Sequence, residues 1–217
     1  MFSLYFDLDG TLTNPKLGIT RSIQYALGKL DLEIPDADNL KWCIGPPLLD
    51  SFETIIGDPG QAARAVQLYR ERFSDTGLFE NHVYPEMINT LERLQKTGYT
   101  LYVATSKPTP YAARIIEHFQ MTAFFARIFG SQLDGSYADK SDLLQFALEQ
   151  TKDNPLEAIM IGDRSHDMVG AKNNGMKAIG VLYGFGSEEE LISAGADSIS
   201  SSVELLEPSI SKIDTNL

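Results

Sequence analysis

The stretch Leu4-Tyr5-Phe6-Asp7-Leu8-Asp9-Gly10-Thr11 opens as an apolar run and stops on two acids and a glycine. A short apolar run that ends in turn residues reads as a buried strand followed by a polar loop. The same grammar recurs further along. Tyr99-Thr100-Leu101-Tyr102-Val103-Ala104 ends at Thr105-Ser106-Lys107-Pro108, and Ala158-Ile159-Met160-Ile161 ends at Gly162-Asp163. Lys177-Ala178-Ile179-Gly180-Val181-Leu182 ends at Tyr183-Gly184, and Phe125-Ala126-Arg127-Ile128-Phe129 supplies a further strand. Helical patterns over 86–96, 110–119, 141–151, 166–174 and 188–194 lie between the strands. Such alternation predicts an α/β fold in which helices cover both faces of a parallel sheet. In sheets of this kind ligands bind at the carboxyl ends of the strands, near the switch in strand order. Asp, Thr, Lys and Gly accumulate at those ends.

Segment 15–83 breaks the alternation. Helices are predicted over 19–30, 48–56 and 61–76, the first supported by the spacing of Ile23, Leu27 and Leu30. The segment reads as a helical cap domain above the strand ends, with 1–14 and 84–217 forming the catalytic core. The tail after Glu207 is expected to be weakly structured.

Composition narrows the classes. The 217 residues are 43% hydrophobic, enough for a sizeable core, and no apolar run reaches the ~18 to 20 residues of a membrane span. The first residues lack the basic region of a signal peptide. A single cysteine, Cys43 within Trp42-Cys43-Ile44, excludes an intramolecular disulfide framework and reads as a buried structural thiol in a reducing cytoplasm. A net charge of −12 argues against polyanion binding by bulk electrostatics, so a phosphorylated substrate would need a local cationic site.

Asp7 and Asp9 stand at the end of a buried strand, where charge is costly unless a cation or hydrogen bonds compensate it. Gly162-Asp163-Arg164-Ser165-His166-Asp167 carries a second acidic pair after another strand end. If the two strands are adjacent, four carboxylates converge, and a hard cation with oxygen ligands, Mg²⁺, relieves their repulsion. His82 and His118 show no ligand-like spacing, His166 reads as a surface helix-start residue or, lying inside the acidic loop, as a contact for the residues that hold the cation, and Arg164 as a partner for loop carboxylates.

At these residues the chain resembles the haloacid dehalogenase superfamily. Asp7-Leu8-Asp9-Gly10-Thr11-Leu12-Thr13 resembles the first motif, Thr105 the second, Lys140 the third, and Gly162-Asp163 with Asp167 the fourth, in the family's order. The resemblance implies a Rossmann-like three-layer α/β/α core with an inserted all-helical cap. It also implies roles. Asp7 attacks phosphorus and forms an aspartyl-phosphate. Asp9 serves as general acid and base. Mg²⁺ binds the Asp7 carboxylate, the Asp9 carbonyl and Asp163, with Asp167 nearby or acting through water. Thr105 and Ser106 contact the phosphoryl oxygens, and Lys107 is a further phosphate-binding candidate. Lys140 lies near a helix N-terminus, an unfavourable place for a cation unless it reaches the Asp7 carboxylate and the phosphate; the alternative is a solvated surface lysine. The second acid, Asp9, places the chain on the phosphoryl-transfer side of the superfamily rather than with the dehalogenases.

The insertion, with Arg21-Ser22-Ile23-Gln24-Tyr25-Ala26-Leu27 and Gly45-Pro46-Pro47-Leu48, resembles phosphoglycolate phosphatases, and the same patterns occur in 5′-nucleotidases. Arg21, Lys41 and the Gly45-Pro46 turn are the cap features expected nearest the substrate. A phosphoglycolate-like metabolite is the first expectation and a nucleoside 5′-monophosphate the alternative. Further rivals are a sugar phosphomutase, a phosphonatase using Lys41 as a Schiff base, and a binding protein without turnover. The expected partner is a small phosphorylated metabolite, with no nucleic-acid polymer and no membrane, met by a monomer or homodimer.

Overall fold

The computed structural model describes residues 2–214, and the chain divides into two compact units. One unit joins the residues up to Asn14 to those from Val83 onward; the other is Pro15–His82.

The first unit is built on six strands: β1 (Ser3–Phe6), β4 (Thr100–Pro108), β5 (Arg127–Ser131), β6 (Ala158–Gly162), β7 (Lys177–Val181) and β8 (Ser198–Ser200). They pair in the order β5-β4-β1-β6-β7-β8, every pair parallel. The chain builds outward from β1 to β4 and β5, then crosses back to lay down β6, β7 and β8. The switch in strand order therefore lies between β1 and β6, whose carboxyl ends carry Asp7 and Asp163. β1 and β6 are buried at every residue, as expected of central strands covered on both faces.

Right-handed crossovers put helices on opposite faces for the two directions of building. Helices α4 (Met87–Lys96) and α5 (Thr109–His118) belong to the first direction, and α6 (Lys140–Thr151), α7 (Ser165–Asn173) and α8 (Glu188–Ser193) to the second. On the second face Tyr5, Ala104, Phe129, Ala158, Met160 and Ala178 pack with Leu143, Leu144, Ala147, Met168, Ala171 and Leu191. The intervening strand residues Leu4, Phe6, Val103, Ile159, Ile161 and Ile179 are just as buried, and by strand alternation they face the other way.

Two features depart from the sequence expectation. The tail is helical as far as Asp214, residues 215–217 lying outside the described residues: α9 (Leu206–Asp214) buries Leu206, Ile210 and Ile213, a spacing of four and three that makes one apolar helical stripe. β4 continues past Ala104 to Pro108, and its pairing with β5 shifts register between Thr105 and Pro108. That irregularity sits where Thr105, Ser106 and Lys107 leave the sheet.

The second unit is helical, with α1 (Lys16–Lys29), α2 (Leu48–Ile56) and α3 (Pro59–Arg72). Gly57-Asp58-Pro59 writes the α2–α3 corner in three residues. Gly57 closes α2 at a φ of 73°, Asp58 Oδ1 accepts the Gln61 amide at 2.9 Å, and Pro59 opens α3. Ile23, Leu27, Phe52, Leu68, Tyr69 and Phe73 form its interior, and the Tyr69 and Phe73 rings stack at 4.9 Å. Cys43 is buried there. Short strands β2 (Thr13–Asn14) and β3 (His82–Val83) pair where the chain leaves and re-enters the first unit. Among the described residues, no helix is long and apolar enough to cross a membrane.

Candidate active site

Asp7 follows β1, and its amide donates to Ile161 O at 2.8 Å, so the residue is fixed by the pairing of the two central strands. The next residues turn sharply. The Gly10 amide donates to Thr13 O at 2.7 Å, and Gly10 adopts a φ of +86°, which glycine adopts without strain. A side chain on Gly10 would also collide with the Asp163 carboxylate, 2.1 Å from its Oδ2. The first and fourth motifs thus touch through a glycine.

Lys140 is the first residue of α6. Asp139 caps that helix by accepting the Ser141 and Asp142 amides, and it brings negative charge to the helix start. The Lys140 side chain turns inward and is buried. Its Nζ donates to Asp7 Oδ1 at 2.8 Å and to Ala104 O at 2.9 Å, and pairs with Asp167 Oδ1 at 2.7 Å. Burial works against the ammonium, but the charges of Asp167 and Asp7 outweigh it and raise its pKa above the ordinary range. The surface-lysine alternative is excluded by this geometry.

Lys107 is also buried, with its Nζ 2.5 Å from Asp9 Oδ2. Burial raises the Asp9 pKa, and Lys107 pulls it only part of the way back. Thr105 is buried, and its Oγ1 accepts the Lys107 amide at 3.3 Å. The Ser131 hydroxyl donates to Ser106 O at 2.7 Å, tying the irregular end of β4 to β5.

Asp163 is fully buried. Its Oδ2 accepts the Phe185 amide at 2.8 Å, while its Oδ1 has no protein partner. Burial drives the Asp163 carboxyl well above the usual carboxylate range, and the neighbouring Asp167 and Asp7 charges push the same way. Asp167 Oδ2 accepts the Arg164 amide at 3.1 Å, and burial raises its pKa as well. Arg164 itself pairs with Glu190 at 3.0 Å, a carboxylate of α8 rather than one of the loop acids expected for it.

Carboxylate oxygens of Asp7, Asp163 and Asp167 lie within 4.8 Å of one another. Fully ionised, Asp7, Asp9, Asp163 and Asp167 would outnumber the two buried ammonium groups by two charges, an excess that burial resists by raising the pKa values of Asp9, Asp163 and Asp167. A buried imbalance of that size, an orphaned Asp163 oxygen and an all-oxygen donor set fit a hard divalent cation.

The two cap cations have partners inside the helical unit. Arg21 Nη1 meets Glu80 Oε1 at 2.7 Å, and Lys41 Nζ meets Asp38 Oδ1 at 3.0 Å, each cation about half exposed. Sequence reasoning assigned no role to the loop after β7. Gly184 lies so close to the site that a Cβ would stand 2.3 Å from Asp163 Cβ and 2.4 Å from Gly10 O. The signal was present as Gly184-Phe185-Gly186 directly after a strand run.

Fold and site together define the class: a hydrolase on a doubly wound α/β core whose chemistry is carried by carboxylates. A family model described as haloacid dehalogenase-like hydrolase matches residues 4–181, and the chain belongs to that family as a phosphatase. A curated relative from Pseudomonas aeruginosa named 5′-nucleotidase is 49% identical over 190 residues, 87% of this chain and 86% of the relative. A Vibrio vulnificus protein named phosphoglycolate phosphatase is 27% identical over 212 residues, 93% of this chain and 92% of its own length. Among solved structures, a predicted phosphatase from Clostridium acetobutylicum superposes with a TM-score of 0.94 at 43% identity, covering 98% of this chain and 99% of that one.

Proposed function

We propose that this phosphatase hydrolyses small phosphomonoesters through an aspartyl-phosphate on Asp7, with a nucleoside 5′-monophosphate as the preferred substrate. The observation that carries the chemistry is the Asp7 carboxylate held by buried Lys140 beside the Asp9–Lys107 pair. In the first step an Asp7 oxygen bonds to phosphorus, the ester P–O bond breaks, and the leaving oxygen takes the proton from Asp9. In the second step Asp9 takes a proton from water, the water oxygen bonds to phosphorus, and the Asp7 O–P bond breaks to release phosphate. The raised pKa of Asp9 suits a group that must both carry and accept that proton. Lys140 and Thr105 supply donors for the phosphoryl oxygens, joined by the Ser106 backbone and by Lys107 when it releases Asp9. Asp7 and Asp163 would hold Mg²⁺ with Asp167 behind them, and the bound cation would offset repulsion between nucleophile and phosphate.

For the substrate, the 49% likeness to a protein named 5′-nucleotidase outweighs the 27% likeness to one named phosphoglycolate phosphatase. The sequence-based order of the two substrates is therefore reversed. Arg21 and Lys41 remain candidates for substrate contact, provided that they exchange Glu80 and Asp38 for it. A cytoplasmic setting is favoured by a buried single cysteine.

The test is phosphate release from AMP, UMP, phosphoglycolate, a sugar phosphate and a phosphopeptide under one Mg²⁺ concentration, repeated with EDTA. At least one nucleotide should exceed phosphoglycolate in kcat/KM by about tenfold, the scale of one unmatched polar contact. EDTA should abolish release and added Mg²⁺ restore it. A phosphoglycolate preference returns the first substrate expectation, and EDTA-resistant turnover removes the cation from the reading.

A further inference from the structure

Asp9 Oδ1, Thr11 Oγ1, Asp163 Oδ1 and the Tyr183 hydroxyl are buried polar atoms without a protein hydrogen-bond partner. Buried polar groups are nearly always paired, so each exception points to a partner of another kind. Asp9 and Asp163 already belong to the site. Tyr183 has been given no part in it, yet the structure holds it at the same place. Gly184, the next residue, packs directly on Asp163 and on Gly10 O, and the following amide, that of Phe185, donates to Asp163 Oδ2. The Tyr183 ring meets Tyr84 edge-on, with centroids 5.0 Å apart, which restrains the side chain. Burial, reinforced by the charge of Asp163, drives the Tyr183 pKa well above that of a free phenol, so the hydroxyl remains a donor.

We propose that Tyr183 is a positioning residue for the divalent cation, its hydroxyl orienting a water in the cation's shell beside Asp163. A buried water needs two or more polar partners, and Mg²⁺ retains several of its own waters when a protein binds it. An unpaired donor and an unpaired acceptor on neighbouring loops meet that need, whereas a direct bond between them would have satisfied both. The inference rests on the cation reading of the carboxylate cluster and adds a residue from outside the four motifs.

The experiment uses the full chain, with Mg²⁺ binding measured by calorimetry and thermal unfolding measured with and without Mg²⁺. Tyr183→Phe should weaken Mg²⁺ binding about tenfold, the lower end of outer-sphere effects. In metal-free protein the same variant should unfold at an equal or higher temperature, since a costly buried hydroxyl has been removed. The stabilisation gained on adding Mg²⁺ should shrink. Tyr183→Met, which also lacks the hydroxyl, serves if the phenylalanine variant does not fold, and the same changes are expected. A Mg²⁺ affinity within twofold of wild type, or an equal loss of stability with and without metal, overturns the role of Tyr183 and leaves the cation site standing. Wild-type protein that binds no Mg²⁺ overturns both.

Discussion

Lys140 shows how one residue's position can be legible while its partners are not. The sequence puts it at a helix start, where the peptide dipoles disfavour a cation. The structure answers with two carboxylate contacts, Asp7 at 2.8 Å and Asp167 at 2.7 Å, and with Asp139 capping the helix. Removing one member of a buried ion pair leaves uncompensated charge, at a cost of about 3–5 kcal/mol. Lys140→Met is therefore expected to lose roughly that much stability without metal, measured by urea unfolding, whereas Asp7→Asn keeps an oxygen for Lys140 and loses less. Both should reduce phosphate release by at least about a thousandfold, the scale of deleting a nucleophile or its immediate partner. Near wild-type release by a verified Asp7→Asn preparation removes the covalent step. The Asp9–Lys107 pair was half legible: each residue was a candidate, but a separation of 98 positions along the chain hid that they meet.

Among elements, the helical unit carries a cluster that sequence patterns did not reveal. Glu80 accepts from Arg72 at 2.8 and 3.0 Å and from Arg21 at 2.7 Å, joining the end of α3 to α1. Its carboxyl is held below the ordinary range chiefly by the Arg72 hydrogen bonds. A carboxylate whose folded pKa is depressed adds stability above its unfolded pKa, and that share is lost as pH falls through the folded value. Wild type should thus be more stable than Glu80→Gln at pH 7, and the gap should close as pH drops below about 4.3, the reference value for glutamate. Urea titrations at pH 7 and at pH 3.5 to 4 measure it; a gap independent of pH would show that shape, not charge, joins α3 to α1. The opposite lesson comes from α9. Leu206, Ile210 and Ile213 had the spacing of an amphipathic helix, but the polar residues between them and the position near the chain end made the segment read as a tail.

At the scale of the whole molecule, a net charge of −12 surrounds a site that must admit a phosphate dianion. Lys107 and Lys140 are each already engaged with acids, so the long-range field opposes the substrate. Salt shortens the reach of that field to about 10 Å at 0.1 M. kcat/KM for a nucleoside monophosphate should accordingly rise about two- to threefold between 10 and 150 mM monovalent salt at saturating Mg²⁺. A fall over that range would mean that local cations, not net charge, govern the approach of substrate.

The sequence by itself determined the parallel α/β core, the helical insertion and the strand ends that bear Asp7, Thr105 and Asp163. Each is written in local terms: apolar runs of strand length, turn residues after them, and a segment of helical period. It also determined the family, because the four motifs occur in order along one chain. Only the tertiary structure decided which charges neutralise which. Lys140 reaches Asp7 across 133 positions, and Asp163 sits against Gly10 and Gly184, residues far apart in the chain. Pairing energies between buried charges depend on distance and on exclusion of water, and neither is a property of neighbouring residues along the sequence. For the same reason Tyr183 was invisible as part of the site: its hydroxyl acquires meaning only where folding takes it out of water without a partner, on a loop whose next residues pack on Asp163.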